Sequence, residues 1–489
     1  MTAVTEAARP SESGSIGTRQ RRLSGAELLN QLLDAGSFRS WDRPVSAPPG
    51  ADAAYLADLA RARERSGTDE SVLTGEGTLD GQPVAVLASE FAFLGGSIGR
   101  AAAERIIAAI DEAGRRRLPL VAAPASGGTR MQEGTLAFLQ MVRITEALTA
   151  FKRLGLPYLA YLRHPTTGGV FASWGSLGHV TVAEPGGLVG FLGPKVYAGL
   201  TGQEFPEGVQ RSEHLLAHGT VDAVVDVQGF RNIAAEVLAI LAARGSWEDA
   251  GRLPGQAASS GDASAWDSVL RTRDAGRPGL SELLDGGFGR LVRLHGTGRG
   301  ATSASTAVVL AELEGRPVVV VGQDRAAQRA GSVLDTAGLA QARRGMRLAE
   351  ELGLPLVTVV DTPGAELSVR AEESAIAGGI ADCIAGMLEL TVPSVAVLLG
   401  EGTGGGALAI AAARRTVAAE HAWLAPLPPE GASMIVHGDT SRAAALSERQ
   451  RIGARTLLED GAVDEVVGEG EGFAKRLAEA ASRQIAAQL

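Results

Sequence analysis

The sequence predicts an α/β protein made of two tandem domains of similar fold, and three observations predict it. The chain has 489 residues, more than one hydrophobic core ordinarily organises. It also repeats itself. Leu118-Pro-Leu-Val returns as Leu354-Pro-Leu-Val, the Thr-Gly-Gly ending at Gly169 as the Gly-Gly-Gly ending at Gly406, and Thr-Val-Ala-Glu ending at Glu184 as Val-Ala-Ala-Glu ending at Glu420, at spacings of 236, 237 and 236 residues. Within each copy, apolar runs rich in Val, Leu and Ile lead into glycine turns and then into segments of helical spacing.

In the first copy Leu118 to Ala123 reads as a buried strand, Ser126 to Thr129 as a tight loop and Leu136 to Leu154 as an amphipathic helix. In the second, Leu354 to Val360, Asp361 to Ala365 and Ile376 to Leu388 repeat that order. Gly81-Gln-Pro-Val matches Gly315-Arg-Pro-Val and Gly219-Thr-Val-Asp matches Gly461-Ala-Val-Asp, so the spacing drifts from 234 to 242. Solenoids repeat every roughly 20 to 50 residues; a period this long means whole domains, and duplication is the simplest explanation. The small polar stretch 255–264 (GQAASSGDAS) has the composition of a linker. It divides a first domain at 23–254 from a second at 265–489, and residues 1–22, rich in Ser, Thr, Arg and Glu, are expected to be disordered.

Composition narrows the function. With 45% hydrophobic and 21% charged residues the chain is of the globular class, and a net charge of −10 argues against nucleic acid as a partner. Cys383 is the only cysteine, which excludes an intrachain disulfide and a cysteine zinc site within one chain and leaves a small buried residue on an apolar helix as its expected place. No zinc or other metal is expected: His214 and His218, four apart, lack the glutamate and third ligand of a zinc helix. No apolar stretch reaches the ~18 residues of a membrane span, and the first 22 residues lack a signal-peptide core. No membrane association and a cytoplasmic location are expected.

Four glycine loops follow apolar strands at equivalent places: Ser126-Gly127-Gly128, Thr167-Gly168-Gly169, Thr362-Pro-Gly364-Ala365 and Gly404-Gly405-Gly406-Ala407. Glycine lets a backbone approach a ligand where a Cβ would collide, and a following helix start adds a positive dipole end. Such loops suit an oxyanion hole, in which peptide N–H groups stabilise charge developing on a carbonyl oxygen; plain strand-to-helix turns are the bland alternative. No phosphate-binding Gly-x-x-x-x-Gly-Lys-Ser/Thr loop occurs, and Gly402-Thr-Gly-Gly-Gly-Ala only loosely suggests a dinucleotide turn.

Read whole, the strings resemble a family. TGEGTLDGQPV (74–84), FLGGSIG (93–99), LPLVAAPASGGTRMQEG (118–134), PTTGGV (165–170), AEPGGLVGFLGP (183–194) and QRSEHLLAHGTVD (210–222) look like the β subunit of the acetyl-CoA carboxylase carboxyltransferase. GLAQARRGMRLAEELGLPLVTVVDTPGA (338–365), GEGTGGGALAI (400–410) and PPEGASMIV (428–436) look like its α subunit, joined in one polypeptide. The resemblance implies two tandem crotonase-like domains, each a spiral of ββα units. It implies transfer of a carboxyl group from carboxybiotin to acetyl-CoA, giving malonyl-CoA, with two oxygens gaining charge: the thioester oxygen and the biotin ureido oxygen. Gly168 and Gly169 would hold the first, Gly405 and Gly406 the second. Ser126, Gly127, Gly128, Arg130 and Thr167 would shape the acyl-CoA side, and Gly364, Ala365, Gly404 and Ala407 the biotin side. Arg130 would contact CoA or pair with an acid such as Glu133; His164 tempts a general-base role against that of a hydrogen-bonded loop residue.

No Met-Lys-Met string carries biotin in this chain, so the resemblance implies a separate biotin carboxyl carrier protein and a biotin carboxylase as partners. It also implies a homo-oligomer, a dimer or a multiple of dimers. The sequence departs from the family at the β-type zinc ribbon, which a chain with one cysteine lacks, and at 366–379, which is shorter than the family's stretch. The segment 295–306 reads as a flexible or remodelled surface loop. Other readings are a propionyl-CoA or other acyl-CoA carboxyltransferase, a biotin-linked decarboxylase, a hydratase or thioesterase using Glu133, and an inactive paralogue serving as scaffold.

Overall fold

A computed structural model describes residues 22–46, 48, 50–243, 245, 247 and 263–489. Residues 1–21 and nearly all of the expected linker lie outside them. The chain forms two compact units, the first running to Ala239 with Gly298–Gly300, the second taking Ile240–Thr297 and Ala301–Leu489. Beyond Ala239 the Gly245 N–H donates to Gly315 O at 3.3 Å and Arg316 lies over the Trp247 ring at 4.3 Å. Among the described residues no helix is long and apolar enough to cross a membrane.

Each unit builds its main sheet on a hairpin, edged by Arg39–Ser40 in the first unit and by Leu291–Leu294 in the second. Val72–Leu79 and Gln82–Ser89 pair antiparallel across Asp80-Gly81, and Thr306–Leu313 and Arg316–Gln323 across Glu314-Gly315. Both residues of each two-residue turn have positive φ, 51° and 77° in the first and 48° and 74° in the second. That handedness matches the twist of the flanking strands and explains the glycine in second place.

After the hairpin both sheets become parallel. The first unit's seven-stranded sheet continues from Gln82–Ser89 through Leu120–Ala123, Tyr158–Leu162, Val180–Ala183 and Ala223–Val224. The second unit's eight-stranded sheet continues from Arg316–Gln323 through Leu356–Thr362, Ser394–Thr403, Arg415–Ala419 and Glu465–Val467. All ten residues of Ser394–Thr403 are buried, as a continuous apolar run in a parallel sheet should be.

The helices Arg100–Arg115 and Gly134–Lys152 cover the first sheet, contributing Ile106, Ile110, Ile144 and Leu148 to one cluster with Leu120, Tyr158 and Leu162. In the second unit Cys383 is fully buried on the helix Ile376–Glu389, where its S–H donates to Leu339 O at 3.4 Å and burial pushes the thiol up to about 11. The 295–306 segment, expected as a flexible or remodelled surface loop, bonds to the helix Thr336–Leu352 at three of its residues: Arg344 donates to His295 O at 2.9 Å and Gly296 O at 3.0 Å, and Gln341 donates to Ser303 O at 3.0 Å.

Candidate active site

Each unit carries two glycine turns at the ends of strands, and the two sets correspond residue by residue. In the first unit Leu120–Ala123 leads to Ser126-Gly127-Gly128, and the short strand Thr166–Thr167, paired with Val189–Gly190, leads into the helix Gly168–Phe171. In the second, Leu356–Thr362 leads to Gly364-Ala365, and Thr403, paired with Ala425, leads into the helix Gly404–Ala411. Gly168 and Gly404 both have φ +61°, and Gly128 and Gly364 have +110° and +132°, conformations that a Cβ would oppose. Ser126 Oγ accepts the Gly128 N–H at 3.0 Å just as Thr362 Oγ1 accepts the Gly364 N–H at 3.1 Å. At these turns the spacing is therefore 236 throughout: Gly168 answers to Gly404 and Gly169 to Gly405, one position off the match of Thr-Gly-Gly to Gly-Gly-Gly.

The amides of the turns are not equally available. The Ser126 N–H donates to Pro165 O at 2.6 Å, the Gly127 N–H to Gly95 O at 3.0 Å and the Gly168 N–H to Phe191 O at 3.0 Å. Among the described residues no acceptor meets the N–H of Thr129 or Gly169, or of their counterparts Ala365 and Gly405. Thr129 and Gly169 are neighbours in space, since a Cβ on Gly169 would stand 3.3 Å from Thr129 Oγ1 and 3.1 Å from Met141 Cγ. Ala365 is as close to the opposite turn: a Cβ on Gly406 would stand 2.8 Å from Ala365 N and 3.1 Å from Gly364 C. Thr129 closes the Ser126-to-Thr129 loop that the sequence marks but is not among its candidate site residues, although the repeat that pairs it with Ala365 is a signal for it.

The remaining singled-out residues sort by their partners. Ser126 and Thr167 are buried, Thr167 Oγ1 donating to Ser126 O at 3.4 Å, and Ala407 is buried in the helix behind its turn. Arg130 is sealed from solvent: it donates to Glu70 Oε2 at 3.1 Å and Ser97 O at 2.8 Å and lies 3.4 Å from Glu133. That geometry is an acid-pairing arrangement. Glu133 also accepts the Tyr55 hydroxyl at 2.6 Å and the Arg100 N–H at 2.7 Å, so both oxygens of the one acid suited to hydratase chemistry are engaged. His164 Nδ1 accepts the Leu188 N–H at 3.0 Å, the geometry of a hydrogen-bonded loop residue.

Asp361, directly before the Thr362 turn, is fully buried; its Oδ1 accepts the Glu401 N–H at 3.1 Å and its Oδ2 lies 3.4 Å from Arg325 Nε. Burial pushes it up to about 6 from the ordinary 3.8, with Arg325 and Arg277 pulling the other way. A raised folded-state value means that folding takes up a proton between those limits. This contribution to stability is complete below the ordinary carboxylate range and is lost as pH rises through about 6. Asp361→Asn should flatten the urea midpoint between pH 4 and 6.5; an unchanged slope there would refute the assignment.

The fold is similar to that of transcarboxylase 12S with hydrolysed methylmalonyl-coenzyme A bound, at TM-score 0.73 and 20% identity over 95% of this chain and 90% of that one. With the repeated hairpin and turns, that likeness defines the class: two crotonase-like domains in tandem. The model for the carboxyl transferase domain matches residues 22–242, and that for acetyl co-enzyme A carboxylase carboxyltransferase-like proteins matches 256–489. The chain is 52% identical to the probable biotin-dependent acyl-coenzyme A carboxylase beta3 subunit of Mycobacterium tuberculosis, over 92% of this chain and 90% of that protein. It is 40% identical to the acetyl-coenzyme A carboxylase carboxyl transferase subunits beta/alpha of Saccharopolyspora erythraea, over 96% and 84% respectively. The chain belongs to the carboxyltransferase family of biotin-dependent acyl-CoA carboxylases, with β-type and α-type halves fused, and its reaction is biotin-dependent carboxyl transfer to an acyl-CoA.

The second unit's turns fit the ureido group of biotin. Their donors are backbone amides, Gly406 leaves bare the space a Cβ would fill beside Ala365 N, and the buried Thr403 Oγ1 has no partner among the described residues. Neutral donors of this kind suit a urea oxygen that starts uncharged and gains charge during reaction. Among the described residues no group of three or more His, Cys, Asp or Glu is placed to hold a metal.

Proposed function

We propose that the chain carboxylates short acyl-CoA thioesters without restriction to acetyl-CoA, taking the carboxyl group from biotin on a separate carrier protein. The matched pairs of unspent amides, Thr129 with Gly169 and Ala365 with Gly405, carry this reading. Bound, biotin brings the carboxyl group and a ring nitrogen able to accept the α-proton. The share of the chain is electrostatic: Thr129 and Gly169 hold the thioester oxygen as the enolate forms, and Ala365 and Gly405 hold the ureido oxygen in the space that the bare Gly406 leaves open. Gly168 contributes its backbone bend and not its N–H, which is spent on Phe191. No side-chain base is required, which agrees with the engagement of Glu133 and His164.

The breadth of substrate follows the relatives. Identity is 52% to a protein named for acyl-CoA and 40% to one named for acetyl-CoA. Acetyl-CoA to malonyl-CoA is the narrower reading. Purified chain, supplied with carboxylated biotin carrier protein and biotin carboxylase, should carboxylate propionyl-CoA at least as fast as acetyl-CoA. Product from acetyl-CoA alone would restore the narrower reading, and no product from either would leave the scaffold.

A homo-oligomer in the cytoplasm goes with this reading. Each unit exposes apolar side chains that a subunit contact would cover, including Phe138 and Val142 at 60% and 66% exposure and Ile435 at 74%. Mass photometry should show dimers or their multiples, and a monomer at micromolar concentration would contradict it.

A further inference from the structure

The two units share their turns but not the means of holding them. The second unit's turn is the looser sequence: Gly402, Gly404, Gly405 and Gly406 surround Thr403, where the first unit has only Gly168 and Gly169 before Val170. Glycine gives up more backbone freedom on ordering than any other residue, whereas an oxyanion cradle works only if its donors are already in place when charge develops. The sequence thus makes the second cradle the one in greater need of bracing.

A buried relay of side-chain amides supplies the brace. Gln323, the last residue of the strand Arg316–Gln323 and 1% exposed, donates through Nε2 to Gly406 O at 2.7 Å and accepts the Asp361 N–H on Oε1 at 3.2 Å. Gln328 donates to Asp361 O at 3.3 Å and accepts from Thr362 Oγ1 at 2.6 Å, and Thr362 Oγ1 accepts the Gly364 N–H at 3.1 Å. The relay therefore runs from the Gly404–Gly406 turn to the Gly364-Ala365 turn without a break. In the first unit the corresponding strand end is Ser89, whose buried Oγ finds no partner among the described residues, and the position answering to Asp361 is Ala125.

We propose that Gln323 is a positioning residue, which together with Gln328 fixes the spacing of the two turns that form the biotin-side cradle. A glutamine is suited to this because its one amide both donates and accepts, so a single buried side chain spans the Gly406 carbonyl and the Asp361 N–H. The proposal rests on the reading of those turns as the biotin side.

The test uses the full chain with Gln323→Met, which keeps the volume and removes both bonds, and Gln328→Met, which loosens the opposite turn. Hydrogen exchange of the peptide spanning Thr403–Ala407, measured without any ligand, should quicken by at least tenfold in Gln323→Met. With carboxylated carrier protein, kcat should fall tenfold or more while KM for acyl-CoA stays within twofold. Gln328→Met should show the same split to a smaller degree. Wild-type exchange at Thr403–Ala407 in a folded Gln323→Met protein would overturn the proposal, and so would a rise in acyl-CoA KM with kcat unchanged. Because the exchange measurement needs no substrate, absence of transfer by the wild type would end the functional reading and leave the clamp decided separately.

Discussion

Gly406→Ala is expected to abolish carboxyl transfer while leaving the protein folded and able to bind acyl-CoA. Alanine is the best helix former, and residue 406 lies in the first turn of the helix Gly404–Ala411, so the local structure has no objection to it. The objection is steric. The new methyl would stand 2.8 Å from Ala365 N, 3.1 Å from Gly364 C and 3.0 Å from Leu334 Cδ2, two of them backbone atoms that cannot swing aside. The Ala365 amide must move, and loss of one oxyanion donor costs on the order of 10²–10³ in rate. Gly405→Ala is the control, because its methyl meets only the tip of Ile380 at 3.0 Å and should slow turnover far less. A wild-type rate in Gly406→Ala would remove the biotin-side cradle from the mechanism.

Arg130→Met should be among the most destabilising single changes in the first unit. The guanidinium is sealed among Glu70, Glu133 and Ser97 O, with side-chain exposures of 0% for Arg130, 2% for Glu70 and 5% for Glu133. Methionine fills the space but strands two carboxylates away from water. Breaking a buried pair from one side costs about 3–5 kcal/mol, and at about 2–4 °C per kcal/mol for a unit of this size the melting temperature should drop by about 6–20 °C. Differential scanning calorimetry checks this; a drop below about 3 °C would mean that the carboxylates find water or other donors. The KM for acyl-CoA in the surviving folded protein should stay near that of the wild type, since the side chain is out of reach of solvent.

The fate of Arg130 shows where sequence reasoning stops. SGGTR stands beside a glycine loop in a family that binds CoA, so a CoA contact suggested itself; the principal partner, Glu70, is 60 residues away, and nothing in the local pattern announces it. Gln323 and Gln328 are equally silent, because a polar residue at a strand end or in a short helix looks like ordinary surface until the turn it braces folds onto it. Local rules did better. Gly81-Gln-Pro-Val and Gly315-Arg-Pro-Val mark the repeat in the sequence, and each glycine proves to stand second in a two-residue hairpin turn with both φ angles positive, where such a residue is demanded. The glycine turns were visible for the same reason. Their pairing between halves was off by one, since Thr-Gly-Gly and Gly-Gly-Gly align equally well by letter and only the strand end and the φ of Gly168 and Gly404 fix the register.

The sealing of Cys383 makes the polypeptide a ready subject for spectroscopy. With its sulfur fully enclosed and ionisation pushed to about 11, maleimide at neutral pH should leave the native protein unlabelled. A cysteine installed at Leu367, which is 99% exposed in the stretch following Ala365, would then carry the only dye on each chain. Fluorescence from that single reporter would register arrival of the biotinylated carrier as it happens.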